Sequence, residues 1–295
     1  MSNQDAGRVA VVTGAARGIG AATVFGLAAA GWSVVAVDRC SDDPRIPYPL
    51  GTRSDLDGVV ARAAGGRDPS VPGGVVAHVA DATDEAALGA AVAEAEHRFG
   101  GLDAIVAVAG VIAGGVPIWE LPAEQLAAVL EVDLGGPIAA ARVGVPALLR
   151  RPAPREGRYL AVASAAATRG LVHLSAYGAA KAGVAGLVRG LAAELAGSGV
   201  TANAICPGST DTAMLAESAR IYGLDGPGAF ADRQAVRRLL DPDEVAAALV
   251  WLAGAPSAAL TGTVVTTVGF AGPAPSLVTG ATTTHSGFVT FSNAG

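Results

Sequence analysis

The chain has 295 residues, enough for one large α/β domain or two small ones; 51% of them are hydrophobic and only 16% are charged. The net charge of −6 argues against partners such as nucleic acid or an anionic membrane surface. Two cysteines, Cys40 and Cys206, provide no disulfide framework and suit a reducing compartment, so we expect a cytoplasmic protein.

Neither end of the chain has the pattern of an export or membrane segment. The first residues, MSNQDAGR, lack the basic and apolar regions of a signal peptide. Beyond Glu244 the chain carries no Asp, Glu, Lys or Arg, but glycines and prolines interrupt it too often for a spanning helix. We expect a buried strand followed by a polar tail, residues 271–295, to which we assign no structure.

The first element is a β-branched run at 8–12, followed at once by the turn TGAARGIG and a helical pattern that extends to Ala30. This order is typical of a dinucleotide site, because glycines let the backbone approach a pyrophosphate and the helix N-terminus attracts its charge. The candidate contacts in the turn are Gly14, Arg17, Gly18, Ile19 and Gly20.

A second strand, 33–37, ends in Asp38. A carboxylate there accepts both ribose hydroxyls of NAD and repels a 2′-phosphate. Arg17 and Arg39 favour the opposite choice, since either could bind that phosphate. We give Asp38 more weight because it lies where the ribose is expected, and we predict NAD as the cofactor, with Arg39 as a further contact.

Strand positions 9–12 and 34–37 are offset by 25 residues, whereas the next strand, 75–79, is offset by 41 from position 34, so this unit carries about 16 extra residues. The insertion spans 40–74, with a helix at 53–64 inside it. A tolerated surface insertion and a flap over the adenosine end of the cofactor are both compatible with its position. In the second case Tyr48 and its flanking prolines would form the cover.

The rest of the chain alternates strands and helices. We predict strands at 104–109, 159–163, 200–205 and 263–268, and helices at 84–99, 123–133, 137–150, 175–196 and 243–253. Residues 150–158 are interpreted as a charged surface loop. The alternation predicts a single α/β domain over 1–270, with a Rossmann-like doubly wound parallel sheet of about seven strands and helices on both faces.

The segment 209–240 is less regular and follows a strand directly. It is either a peripheral helical hairpin or an apolar lid over a hydrophobic substrate. Its place at the carboxyl end of a strand favours the lid.

Lys181 is the only lysine among 20 basic residues, and it follows Tyr177 by four positions, on one helix face. Its ammonium favours the phenolate and so lowers the pKa of Tyr177, which can then take a proton from an alcohol or return one to a carbonyl. Ser164, at the end of the fifth strand, can hydrogen-bond the same oxygen.

Two other kinds of site are not predicted. The four histidines are scattered along the chain, so we predict no metal site. Ser164 lacks the G-x-S-x-G context of a hydrolase nucleophile.

These motifs together resemble the short-chain dehydrogenase/reductase family over residues 8–270: TGAARGIG, Asp81, Ser164, Tyr177-x-x-x-Lys181 and PGSTDT at 207–212. The resemblance implies an NAD-dependent oxidoreductase acting on a small apolar alcohol or ketone. It also implies a homotetramer formed through the helices at 123–150 and 175–196. The cofactor contacts it adds are Asp81, Ala82, Ala109, Gly110, Tyr177, Lys181, Pro207, Gly208, Thr210 and Thr212.

Three segments are more narrowly similar to the mycofactocin-coupled branch of that family: VDRCSDDPRIPYPLGTRSDL, SAAATRG and PGSTDTAMLAESARIYGL. This resemblance implies NAD held tightly beneath the insertion and reoxidised in place by the peptide-derived carrier mycofactocin. Two alternatives stay open: an ordinary member with freely exchanging NAD(P)H, and a nucleotide-binding protein whose catalysis has weakened.

Three positions depart from the family pattern. Asp133 stands where the family has an Asn that helps hold a water beside the lysine, and we expect it to pair with Lys181, blunt the lysine's effect on Tyr177 and slow turnover or shift its pH dependence. The family's Asn-Ala-Gly after the fourth strand becomes Val108-Ala109-Gly110. Its closing Asp-Gly-Gly becomes Val268-Gly269-Phe270, which leaves the cofactor contacts there open.

Overall fold

All strands lie side by side with their carboxyl ends at one edge. A computed structural model describes residues 7–66 and 73–267, and within them seven strands form one sheet of order β3-β2-β1-β4-β5-β6-β7 with every pair parallel. The strands are β1 (Val9–Thr13), β2 (Ser33–Asp38), β3 (Val75–Val79), β4 (Ala104–Ala107), β5 (Gly157–Val162), β6 (Val200–Cys206) and β7 (Val264–Thr266). The prediction of an α/β, Rossmann-like doubly wound sheet is confirmed.

Helices cover both faces of the sheet. They are α1 (Gly18–Ala29), α2 (Arg53–Gly65), α3 (Glu85–Phe99), α4 (Ala123–Leu130), α5 (Gly136–Arg150), α6 (Ser175–Glu194), α7 (Ala213–Ile221) and α8 (Pro242–Ala253). The helices α1, α2 and α8 pack on one face, and α3, α5 and α6 on the other. Central strands buried on both sides explain the nearly continuous apolar runs such as VAVVT.

The sheet reverses its strand order between β1 and β4, and this is where a doubly wound fold opens a crevice. Gly14 directly follows β1 with φ of +66°. A β-carbon there would lie 2.7 Å from Ala109 Cα, past the end of β4. Only glycine allows the two strand ends to approach so closely.

Three local predictions are corrected by the structure. The helices predicted at 123–133 and 137–150 are joined through a π-helical turn, Glu131–Gly135, so that Asp133 lies inside a continuous helical segment. The strand predicted to reach 109 ends at Ala107. Arg158 belongs to β5 and is buried, because its guanidinium donates to the carbonyl oxygens of Gly157 and Gly254.

Some predictions fall outside the described residues: the tail at 271–295, the family-variant positions 268–270 and part of the insertion, 67–72. In the described part of the chain, none of the helices has both the length and the apolar character needed to cross a membrane.

Candidate active site

A cavity of about 920 Å³ runs along the carboxyl ends of the strands. Every site residue named from the sequence lines it, with the exception of Asp133, which lies buried behind Lys181. The fold therefore brings together the turn after β1, the ends of β2 to β6 and the start of α6.

The glycine-rich turn forms a tight cradle at the N-terminus of α1. A β-carbon at Gly20 would lie 2.0 Å from the Gly14 carbonyl oxygen. One at Gly18, whose φ is +55°, would lie 3.2 Å from Thr212 Cγ2. Free backbone beside a helix N-terminus fits a pyrophosphate group, which needs close approach and N–H donors.

The carboxylate of Asp38 is held by the backbone. Its two oxygens accept hydrogen bonds from the amides of Ala16 and Cys40, both at 3.1 Å, which aim it along the crevice edge. Arg39, the adjacent cation, forms ion pairs through its Nη1 with Asp43 Oδ2 at 3.1 Å and with Asp81 Oδ2 at 3.8 Å. An anchored carboxylate with a neutralised arginine fits a ribose with free hydroxyls better than a 2′-phosphate.

The first part of the insertion, residues 40–52, crosses this crevice, and we call it the strap. At one side Arg17 donates to the carbonyl oxygen of Pro49 at 2.8 Å. At the other, the backbone N–H of Ile112 donates to the hydroxyl of Tyr48 at 3.2 Å. The strap thus joins the turn after β1 to the segment after β4, directly over the reversal point of the sheet.

Charges and apolar packing hold the strap further. Arg45 pairs with Glu131 at 2.6 Å and with the buried Asp43 at 2.9 Å. The Arg45 guanidinium keeps the pKa of the Asp43 carboxyl well below its usual range. Ile46 and Leu50 join a buried apolar cluster with residues of α4 and α6. Thr52 then ends the strap and caps α2 through Asp55.

The reactive end combines three predicted groups. Tyr177 and Lys181 lie on the buried face of α6, with Lys181 Nζ 5.7 Å from the centroid of the Tyr177 ring. Ser164 begins a short turn after β5, and its side chain lies near the Tyr177 phenol and lowers the pKa of that phenol. Met214 of α7 covers the phenol, its Sδ 4.0 Å from Tyr177 Oη. The predicted triad is therefore assembled in one place, beside the segment 209–240.

Asp133 is fully buried and pairs with the only lysine. Its Oδ1 lies 3.1 Å from Lys181 Nζ and accepts a hydrogen bond from the Val111 amide at 3.1 Å. Lys181 also donates to the Val162 carbonyl oxygen at 3.1 Å. The pairing expected from the sequence is confirmed. Two of the three N–H bonds of the ammonium thus donate to Asp133 and to Val162, and the third can donate to a group bound in the cavity.

Burial sets the ionisation of this group of side chains. It raises the pKa of Tyr177 above the ordinary phenol value; Lys181 lowers that pKa, whereas the charge of Asp133 raises it further. The predicted effect of Lys181, which is to lower the pKa of Tyr177, is present, but burial outweighs it, so the pKa of Tyr177 lies above its ordinary value. Burial opposes the Lys181 ammonium too, yet the charges of Asp133 and Tyr177 raise its pKa overall.

Several residues of the site went unrecognised in the sequence. Arg169 and Arg233 also line the cavity. Arg169 lies within SAAATRG, so its place after the Ser164 strand was the available signal. Glu131 and Gly51 carried no signal, because their partners lie far away in the chain. No group of three or more metal-ligating side chains occurs in residues 7–66 and 73–267.

Comparison with known proteins places these features in a family. A family model described as short chain dehydrogenase matches residues 8–47, and one described as enoyl-(acyl carrier protein) reductase matches residues 55–269. The chain is 36% identical to an uncharacterized NAD-dependent oxidoreductase of Mycobacterium tuberculosis over 263 residues, which cover 87% of this chain and 92% of that protein.

Two further relatives are informative. The cis-4-hydroxycyclohexanecarboxylate dehydrogenase of Sinomonas cyclohexanicum is 38% identical over 255 residues, or 86% of this chain and 92% of that protein. The crystal structure of carveol dehydrogenase from Mycobacterium avium in complex with NAD superposes with a TM-score of 0.82 at 28% identity, covering 90% of this chain and 97% of that one.

Proposed function

The chain belongs to the short-chain dehydrogenase family, and from that premise we propose that it interconverts a secondary, largely apolar alcohol and its ketone with NAD. The observation that carries the proposal is the meeting of Ser164, Tyr177 and Lys181 in the same cavity as the glycine cradle and Asp38. It is an NAD-dependent oxidoreductase, as its relatives are named.

The residues of the crevice fit the cofactor. Gly14, Gly18 and Gly20 leave room for the pyrophosphate, and Asp38 accepts from a ribose. Asp81, which also holds Thr83, lies beside the adenine end. The remaining proposed contacts are Arg17, Ile19, Arg39, Ala82, Ala109, Gly110, Pro207, Gly208, Thr210 and Thr212. When bound, the nicotinamide supplies a hydride acceptor or donor.

Three side chains act on the substrate oxygen. Ser164 hydrogen-bonds that oxygen and orients it, while Tyr177 takes its proton during oxidation or returns one during reduction. Lys181 stabilises the phenolate that exists between these events, using the N–H that faces the cavity. The lid residue Met214 excludes water from the phenol.

The lid and the neighbouring loops line the substrate end of the cavity with an apolar wall. Its residues are Leu171, Leu174, Met214, Leu215, Tyr222 and Phe230. A hydrophobic alcohol fits this wall. Carveol and cis-4-hydroxycyclohexanecarboxylate, named in two relatives, are therefore the first compounds to test, one neutral and one anionic.

The strap supports a cofactor that does not exchange. It lies across the crevice and is held at Arg17, Ile112 and Glu131, so a bound dinucleotide leaves only after several contacts break. A cofactor kept in place must be reoxidised in place, and mycofactocin is the proposed acceptor. The alternative is an ordinary dehydrogenase whose strap opens in every turnover and whose NAD(H) exchanges freely.

The test starts from protein purified without added cofactor. Denaturation should release close to one NAD per chain, and alcohols should then reduce an artificial dye with no NAD supplied. Protein that releases no NAD but oxidises the alcohol when NAD is added would support the freely exchanging alternative. Protein that binds NAD and oxidises no alcohol in the screen would support a catalytically weakened nucleotide-binding protein.

We further propose a cytoplasmic homotetramer formed through α4, α5 and α6. Leu130, Ile138 and Leu149, on the first two of these helices or at their ends, expose more than a third of their surface, which suits burial against a second copy. Sedimentation of the purified protein tests the assembly.

A further inference from the structure

The two oxygens of Asp133 have different surroundings. Oδ1 accepts from Lys181 Nζ and from the Val111 amide, both at 3.1 Å. Oδ2 is buried and, within the residues that the structure describes, has no hydrogen-bond partner. A carboxylate oxygen without a donor in a dry interior is costly, and a proton on the carboxyl group relieves that cost. The asymmetry therefore describes a carboxylate ready to accept a proton.

We propose that Asp133 stores the proton that leaves the alcohol, so that oxidation in the closed site releases no proton to solvent. This inference rests on the proposed function. Asp133 then holds a proton and acts through Lys181, in addition to being an anion that reduces the effect of Lys181 on the pKa of Tyr177.

Atoms and charges balance along the route. As the carbinol C–H bond breaks, its electron pair leaves as hydride to the bound cofactor and the C=O bond forms. Lys181 gives one proton to Asp133 Oδ1 across the 3.1 Å contact, which frees a lone pair on Lys181 Nζ. In the same event the O–H proton moves to Tyr177, and the Tyr177 proton passes through a bridging hydroxyl in the cavity to that lone pair. Tyr177 and Lys181 end unchanged, and Asp133 becomes a neutral carboxyl.

The surroundings suit this role. Burial raises the pKa of Asp133, although the Lys181 ammonium opposes the rise. Tyr177 on α6 and Tyr48 on the strap also face the carboxyl, and Cys206 on β6 faces Lys181. Burial raises the pKa of both Tyr48 and Cys206, so neither adds a charge near neutral pH. Lys181 is thus the cation through which the carboxyl acts. An amide at position 133 has no basic lone pair to accept a proton.

A matched pair of variants isolates the effect. Asp133→Asn keeps the shape of the side chain and its acceptor for the Val111 amide. Asp103→Asn is the control, because Asp103 is also a carboxylate paired with a cation, Arg151 at 2.5 Å, and accepts from the Val9 amide at the opposite edge of the sheet. Both are purified as holoenzymes.

The first measurement needs no substrate. Infrared difference spectra across a pH titration should show a carboxylic-acid C=O band that forms above the ordinary Asp pKa of about 3.9. The band should be absent from Asp133→Asn and present in Asp103→Asn. A wild-type protein without such a band overturns the proposal.

The second measurement follows single turnovers in weak buffer, with carveol and then cis-4-hydroxycyclohexanecarboxylate as probes and a pH-indicator dye beside the nicotinamide absorbance. The wild type and Asp103→Asn should transfer hydride with almost no proton release, whereas Asp133→Asn should release about one proton per hydride. The rate of the wild type should fall at low pH, as Asp133 becomes protonated, and Asp133→Asn, which has no carboxyl to protonate, should lack this fall.

Two results would count against Asp133 as the proton store while leaving the proposed function standing. One is hydride transfer in the wild type accompanied by full proton release. The other is faster oxidation by Asp133→Asn with the fall in rate at low pH retained, because that fall would then not arise from Asp133. No hydride transfer from any alcohol in the wider screen would instead count against the proposed function itself, and the infrared titration would still decide whether the carboxyl holds a proton.

Discussion

Gly51 of the strap lies directly against the carboxylate of Asp38. A β-carbon at position 51 would stand 3.2 Å from Asp38 Oδ1 and 2.8 Å from Ala16 Cβ. Closure of the strap and the position of the ribose-binding carboxylate therefore depend on one contact, which only a residue without a side chain permits.

Gly51→Ala should weaken NAD retention, because the new methyl group must push the strap away from Ala16 or displace Asp38. We expect binding to weaken about tenfold, equivalent to about 1.4 kcal/mol. The NAD content of the purified protein, measured after denaturation, checks this. Gly65→Ala is the control, since a β-carbon there meets nothing within 4 Å. Equal NAD content in the two variants would contradict the prediction.

Tyr48→Phe should speed the release of bound NAD. It removes the hydroxyl that accepts from Ile112, which leaves a buried N–H unpaired in the closed strap at a cost of about 1–3 kcal/mol. Release should become about 5–150-fold faster, as followed by exchange with labelled NAD. Tyr159→Phe loses a comparable bond, to the Pro137 carbonyl oxygen, inside the core. It should lower thermal stability and leave exchange unchanged; faster exchange in both variants would mean that the effect is general destabilisation.

Asp43→Asn should relax the preference for NAD over NADP. The substitution releases Arg39 from its closest carboxylate, leaving only Asp81 at 3.8 Å, so the guanidinium can approach a 2′-phosphate. The ratio of the two dissociation constants should fall about tenfold. Asp57→Asn, which removes an exposed partner of Arg53, serves as the control. An unchanged ratio would show that Arg39 does not reach the phosphate.

Asp133→Asn should lower the pKa of Tyr177 itself. The Asp133 charge raises that pKa, so its removal leaves Lys181 to act on the phenol unopposed. Ultraviolet titration of phenolate formation, with Tyr177→Phe spectra subtracted, should give a lower midpoint in Asp133→Asn than in the wild type. A midpoint that stays in place would mean that the two groups are not coupled.

Lys181→Met should destabilise the fold in a pH-dependent way. It leaves Asp133 buried without a counter-charge, at a cost of about 3–5 kcal/mol when the carboxyl is ionised. The folded pKa of Asp133 is raised, so its contribution to stability is lost as pH rises through that pKa. The free energy of unfolding, measured in urea, should therefore be only slightly lower in the variant than in the wild type in acid, and the difference should grow toward neutral pH. Adding Asp133→Asn should remove this pH dependence; a deficit that is constant with pH would refute the explanation.

Much of this protein could be predicted because its signals are local. Apolar runs, glycine turns and caps predicted the strands and helices, and a parallel sheet places every strand's carboxyl end at one edge. Ser164, Tyr177 and Lys181 follow from that rule together with a spacing of four on a helix. The same rule led to Asp38, the last residue of β2, and to Asp81, just past β3.

Other features could not be predicted because packing decides them. The π turn at Glu131–Gly135 joins two helices that look separate in the sequence. Arg158 looked like part of a charged loop and is buried in β5. The raised pKa of Tyr177 arises from burial, which no pattern of residue types specifies.

By itself, the sequence determined the sheet, the nucleotide turn and the identity of the reactive groups, since each depends on neighbours within a few residues. Only the tertiary structure decided between a surface insertion and a strap over the crevice, and only it showed that the carboxylate paired with Lys181 is fully buried. The physical reason is distance along the chain: Arg45 and Glu131 are 86 residues apart, and Tyr48 and Ile112 are 64 apart. Such contacts exist only after the sheet has brought the strand ends together, and they depend on ångström-scale positions that composition and spacing do not encode.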